Sequence, residues 1–106
     1  LGLKGKKTMT KITVVVKEPG KTPEVKEIDD TLESMQEVVG GYIELVAMPN
    51  NLDFYVNEEG LAEGLPFNTH IRGVPVVGTV FAASRNSSGD TIGLTKSQID
   101  KVMTLI

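Results

Sequence analysis

The sequence predicts an α+β fold: a mainly antiparallel sheet of about five or six strands arranged in hairpins, with two helices packed on one face of it, in the order β-β-α-β-β-loop-β-β-α. Three observations carry this. Short runs of alternating apolar residues come in pairs across turn-forming residues; two other segments carry helical spacing with start signals; and 106 residues without an internal repeat or a long linker leave room for one core.

The first strand pattern sets Ile12, Val14 and Val16 against Thr13, Val15 and Lys17, so its second face is only partly polar. Glu18-Pro19-Gly20 ends it, and Lys21-Thr22-Pro23 continues the turn chemistry into a second alternating run, Glu24 to Ile28. Pro23 suits the start of an edge strand, where a missing N–H costs little. Asp30 followed by Glu33 satisfies orphan amides at a helix start, and Leu32, Met35 and Val39 share one helical face. Gly40 or Gly41 supplies the left-handed residue that ends the helix.

Tyr42 to Met48 then alternates, with Ile43, Leu45 and Ala47 on one side, and Pro49-Asn50-Asn51 turns the chain into Leu52, Phe54 and Val56. From Asn57 to Gly73 periodicity fails, apart from one helical turn over Glu58 to Glu63. Val74 to Ser84 reads as one long buried strand bent near Gly78. Arg85 to Asp90 is a turn and Thr91 to Leu94 a short return strand. Thr95 with Gln98 forms a capping box for a last helix whose buried face is Ile99, Val102, Met103 and Ile106.

Composition narrows the function classes. No segment is apolar for long enough to span a bilayer, so a cytoplasmic protein that does not enter membranes is expected. The chain has no cysteine, which excludes disulfides, thiolate metal sites and a cysteine nucleophile. Leu1 to Thr8 has three lysines and no periodicity, and is expected to be a tag or vector remnant without ordered structure ahead of a start at Met9, leaving residues 9–106 as one domain. Setting aside Lys4, Lys6 and Lys7 leaves 8 basic against 14 acidic side chains, a net of −6 where the whole chain has −3. An acidic body of this kind repels a phosphate backbone, so duplex nucleic acid is an unexpected partner.

No catalytic, metal or cofactor motif is present. His70 is the single histidine, too few for a multi-histidine zinc site within one chain, and the serines lack a nucleophile-elbow context. Asp29-Asp30 and Glu58-Glu59 are adjacent carboxylates that point in different directions and serve as caps or solvated loop residues. Val39-Gly40-Gly41 ends a helix and enters a strand, the reverse of a phosphate cradle. A candidate ligand surface remains: Asn57, Glu58, Asn68, His70 and Arg72, with Tyr42, Tyr55 and Phe67 as aromatic platforms for a nucleotide-like ligand. The same residues also have a structural reading, which the sequence favours: Tyr42 and Tyr55 as sheet cover, Phe67 as a core plug, and Asn57 and Asn68 as turn caps.

Four segments also carry a family likeness: Val16-Lys17-Glu18-Pro19-Gly20; Glu33-x-x-Gln36-x-x-Val39-Gly40-Gly41-Tyr42-Ile43-Glu44; Asn57-Glu58-Glu59-Gly60; and Leu65-Pro66-x-Asn68. With Gly73-x-Pro75-Val76-Val77-Gly78 and the last helix, they extend from about Lys11 to the end. Through them the chain resembles a family of small domains of phages, plasmids and conjugative elements of Firmicutes and related bacteria, the domain of unknown function 3846. The resemblance assigns no residue a role. It implies a small non-catalytic binding protein of a mobile element, an accessory or counter-defence factor that masks a host protein or sequesters a small ligand such as a signalling nucleotide. The alternatives are a structural or regulatory adaptor pairing through a sheet edge or its acidic surface, and a small hydrolase using His70 with Glu58 or Glu59. A core this small, with sheet edges to cover, also favours a homodimer or higher homo-oligomer.

Overall fold

The computed structural model describes residues 10–106; the expected leader over residues 1–8 lies outside the described residues. Eight strands and two helices follow in order: β1 (Lys11–Lys17), β2 (Glu24–Asp29), α1 (Leu32–Val39), β3 (Ile43–Met48), β4 (Leu52–Asn57), β5 (Phe67–Ile71), β6 (Val74–Val77), β7 (Val80–Arg85), β8 (Thr91–Ile92) and α2 (Lys96–Leu105). The main sheet has six strands in the order β2-β1-β7-β4-β3, with β8 paired to β7 beyond β1, and every pairing is antiparallel. β5 and β6 form a separate two-stranded sheet.

Alternation sorts the core into two layers. Val15, Phe54, Val56, Val80 and Ala82 face one way, under α2 and the β5–β6 hairpin. Val14, Val16, Tyr55, Phe81 and Ala83 face the other way, under α1. Tyr55 and Phe81 stack in the second layer, ring centroids 4.8 Å apart. The helices therefore cover opposite faces of the sheet, not one. The reason is visible in β1, β4 and β7, which are apolar on both sides and need cover on both.

Local chemistry explains further departures from expectation. The α1 N-cap is Thr31, whose hydroxyl accepts from Ser34 N at 3.1 Å. Asp30 stands one residue too early for that job: the first helical bond runs from Met35 N to Thr31 O at 3.2 Å, and the Asp30 N–H still extends the β1–β2 ladder by donating to Thr10 O at 2.7 Å. Met35 and Val39 are buried as expected, whereas Leu32 in the first turn is exposed. Gly40 ends the helix at φ 80°.

The long strand expected over Val74 to Ser84 is two strands in different sheets. Gly78, at φ +77°, turns the chain between them and accommodates Leu65 where a Cβ would approach its Cδ1 to 2.7 Å. β5, hidden in the aperiodic stretch, pairs with β6 across a two-residue turn in which Arg72 and Gly73 both have positive φ, the pattern of a type I′ hairpin.

α2 begins with the expected capping box, Thr95 and Gln98 bonding reciprocally. Its inner face is Ile99, Val102, Leu105 and Ile106; Met103 lies toward solvent. Gln98 Nε2 also donates to Ser84 Oγ at 2.9 Å, tying the helix to the sheet. Val102 is 0% exposed and Met103 38%. Val102→Asp is expected to destabilise the protein by about 3 kcal/mol or more, through an unpaired buried carboxylate, while Met103→Asp costs well under half of that. Chemical denaturation of the two variants side by side checks the assignment of this face.

Candidate functional site

Seven of the eight residues singled out from the sequence fall into three groups. Asn57, Asn68 and Tyr55 are internal. Asn57 Nδ2 donates to Val39 O at 3.2 Å, satisfying a carbonyl at the end of α1, and its Oδ1 accepts from Glu59 N at 2.7 Å. Gly41 lies so close that a Cβ there would meet Asn57 Nδ2 at 2.9 Å. Asn68 Nδ2 donates to Lys17 O and to Gly78 O, each at 2.8 Å, while its Oδ1 accepts from Lys17 Nζ. It thereby pins the β5–β6 hairpin to β1. The Tyr55 hydroxyl is paired with Thr91 Oγ1 at 2.8 Å. The Gly-Gly, Asn-Glu-Glu-Gly and Pro-x-Asn segments are thus joints between elements.

Tyr42 and Glu58 form a second group, joined by Glu58 N donating to Tyr42 O. Tyr42 borders a hollow of about 210 Å³ with Gln36 and Glu63, and Glu58 borders another of about 180 Å³ with Leu61 and Val74. Phe67 and His70 form a third group on the exposed side of β5, rings tilted with centroids 5.1 Å apart. Phe67 stands in solvent and does not plug the core.

Arg72 stands apart from all of these. It sits at the β5–β6 tip and lines a cleft of about 540 Å³. The floor is apolar, from Met48, Leu52 and Leu105; Pro49 and Asn50 of the β3–β4 turn form one wall; and Ser97, Gln98 and Lys101 of α2 form the other. Positions 97, 98, 101 and 105 recur at helical spacing, so one side of α2 lines the cleft while Val102 enters the core. That polar stripe, adjacent to the apolar one, is the sequence signal for Gln98 and Lys101.

The electrostatics of the cleft are one-sided. Among the described residues the ion pairs are Lys11–Asp29, Lys21–Glu18, Lys26–Glu24, Arg85–Asp53 and Lys96–Asp100, and neither Arg72 nor Lys101 joins one. Two cations therefore line the same cleft beside apolar residues in a chain of net charge −3. The lining has amide and hydroxyl donors, but no carboxylate or histidine to act as a general base. Among the described residues no three carboxylate or imidazole groups gather to hold a metal ion, and no helix is long and apolar enough to cross a membrane.

A six-stranded antiparallel sheet with a helix on each face and an auxiliary hairpin places the molecule among the α+β domains. Within that class the chain belongs to the domain of unknown function family DUF3846, whose model matches residues 11–106. No curated protein and no solved structure matches the chain.

The internal amides give a direct check. Asn57→Ala and Asn68→Ala are each expected to destabilise the protein by about 1–3 kcal/mol, because each strands buried backbone partners, whereas His70→Ala stays within about 0.5 kcal/mol. Urea midpoints of the three variants distinguish joints from surface residues.

Proposed function

We propose that this protein binds a small organic anion of nucleotide size in the cleft between α2, the β3–β4 turn and the β5–β6 tip. One observation carries the reading: Arg72 and Lys101, the cations on its rim, have no carboxylate partner within the described residues, so an anionic ligand would supply one. The volume lies in the range of small-molecule sites, and the mix of apolar floor with a few polar groups is the usual composition of such sites. An apolar floor suits a base or other flat ring, and the two cations suit phosphate or carboxylate. Binding without turnover is the reading adopted, with the cations, amides and hydroxyl of the lining serving to anchor an anion. Of the roles expected for an accessory factor of a mobile element, sequestration of a signalling nucleotide is the one a cleft serves; masking a host protein would draw on the outer surface instead.

The test is a thermal-shift panel of AMP, ADP, cyclic AMP, citrate and inorganic phosphate, followed by calorimetry on any compound that raises the melting temperature. Arg72→Ala and Lys101→Ala are each expected to weaken binding by about ten-fold or more, the loss of one charge-assisted hydrogen bond, without lowering stability. Arg72→Asn is expected to weaken binding equally while raising stability by a few tenths of a kcal/mol or more, because asparagine is at ease in the left-handed region where Arg72 sits at φ 53°. A panel with no stabilising compound, or variants that bind as tightly as the parent, would overturn the reading.

A further inference from the structure

The main sheet ends in two very different edges. β2 is an edge strand in which Pro23 precedes Glu24, Lys26, Glu27 and Asp29, so charge and proline guard it against pairing with another strand. β3, at the other end, carries one charge in six residues, Glu44, and no proline. Leu45 on it is 49% exposed, and Leu61 and Val74, both exposed, stand close by around Glu44 and Val46.

The hydrogen-bond parity of β3 can be worked out. Glu58 N donates to Tyr42 O at 2.8 Å, which makes Tyr42 and Glu58 a hydrogen-bonded pair in the β3–β4 register. Such pairs alternate along an antiparallel ladder, so Glu44, Val46 and Met48 bond inward to β4. The N–H and C=O groups of Ile43, Leu45 and Ala47 therefore point outward from the sheet, and among the described residues they have no partner.

We infer that β3 is a homodimer interface, pairing antiparallel with β3 of a second copy about a two-fold axis through Leu45. The register is dictated by three conditions. Outward-pointing residues must oppose outward-pointing residues. Centring on Leu45 sets Ile43 against the partner copy's position 47 and Leu45 against its own counterpart, so all three outward residues bond on both strands. Centring on Val46 keeps only two of them, and centring on Glu44 opposes two like carboxylates. In the Leu45 register each Glu44 faces Val46 of the other copy, with no like charges opposed. The strand can thus pair with itself without opposing like charges, which is what an isologous contact requires.

The experiment uses the whole chain and its lack of cysteine. Light scattering at high micromolar concentration is expected to give the mass of two chains. Leu45→Lys, which sets like charges face to face at the axis while its stem still covers Tyr55, is expected to return the mass of one chain; Val25→Lys on the β2 edge is expected to leave the dimer intact. Because Leu45→Lys perturbs a side chain, an independent arm uses disulfide capture under mild oxidation. Leu45→Cys is expected to cross-link, since facing Cα atoms in a hydrogen-bonded antiparallel pair lie about 5.5 Å apart, within disulfide reach. Ala47→Cys is expected not to, because its counterpart lies four residues along the strand, about 13 Å away. A monomer mass for the parent chain, a dimer untouched by Leu45→Lys, or cross-linking through Ala47→Cys in place of Leu45→Cys would each overturn the inference, the first leaving β3 free for a foreign strand.

Discussion

The architecture depends on β7 being buried on both faces and hydrogen-bonded on both sides. Val80 and Ala82 point into one layer, Phe81 and Ala83 into the other, while β1 and β8 flank one side of the strand and β4 the other. A strand in that position cannot leave either face to water, so the sheet needs two covers. On the Tyr55–Phe81 side the eight residues of α1 suffice, because the stacked rings already fill much of the layer. On the Phe54 side α2 covers part of the sheet, and Ile71 and Val76 of the β5–β6 hairpin cover more. The large cleft is the gap left where these two covers and the β3–β4 turn meet.

Reading the sequence recovers what periodicity encodes locally. Both major hairpins, both helices and the capping box at Thr95 arise from spacing and turn residues within a few positions of one another. β5 escapes because Phe67 and His70 are exposed and Asn68 is buried, an inversion of the apolar-in pattern by which strands are recognised. Its partner β6 reads as one strand with β7 because Val74 to Ala83 is apolar almost throughout, and nothing in a run of valines says that Gly78 moves the chain from one sheet to another. The opposite placement of the helices is a long-range property: it depends on which side of β4 and β1 each amphipathic stripe reaches, and Val15, apolar on the partly polar face of β1, is the local trace of it.

The same logic separates polar residues that hold the fold from those free to meet a ligand. A buried amide must spend its donors and acceptor inside the molecule, and Asn57 and Asn68 do so against the end of α1, β1 and Gly78. Sequence shows both as polar residues in a glycine-rich stretch, which is why they resemble a recognition loop. Only their partners, 18 and 51 positions away, show the role. Asp53 and Arg85 are a similar case: the buried carboxylate and its guanidinium partner come from β4 and β7 and have no common signature in the chain.

Arg72 is the reverse case. Among the described residues three non-glycine positions have positive φ, and the other two, Asn50 and Asn51, are asparagines in the β3–β4 turn, the residue type that tolerates this region best. Where geometry alone governs, this chain uses asparagine. At the β5–β6 tip it holds an arginine at φ 53°, a conformation that costs an ordinary L-residue about 1 kcal/mol or more. No carboxylate within the described fold repays that cost through an ion pair. None of those pairs offsets the cost inside the molecule, and Arg72 lines a cleft that it shares with apolar residues and a second cation outside those pairs, Lys101. A positive φ at a tip, charge without an ion pair and a cleft of ligand size coincide at one residue, and that coincidence favours the cleft over the glycine-rich joints as the proposed ligand site.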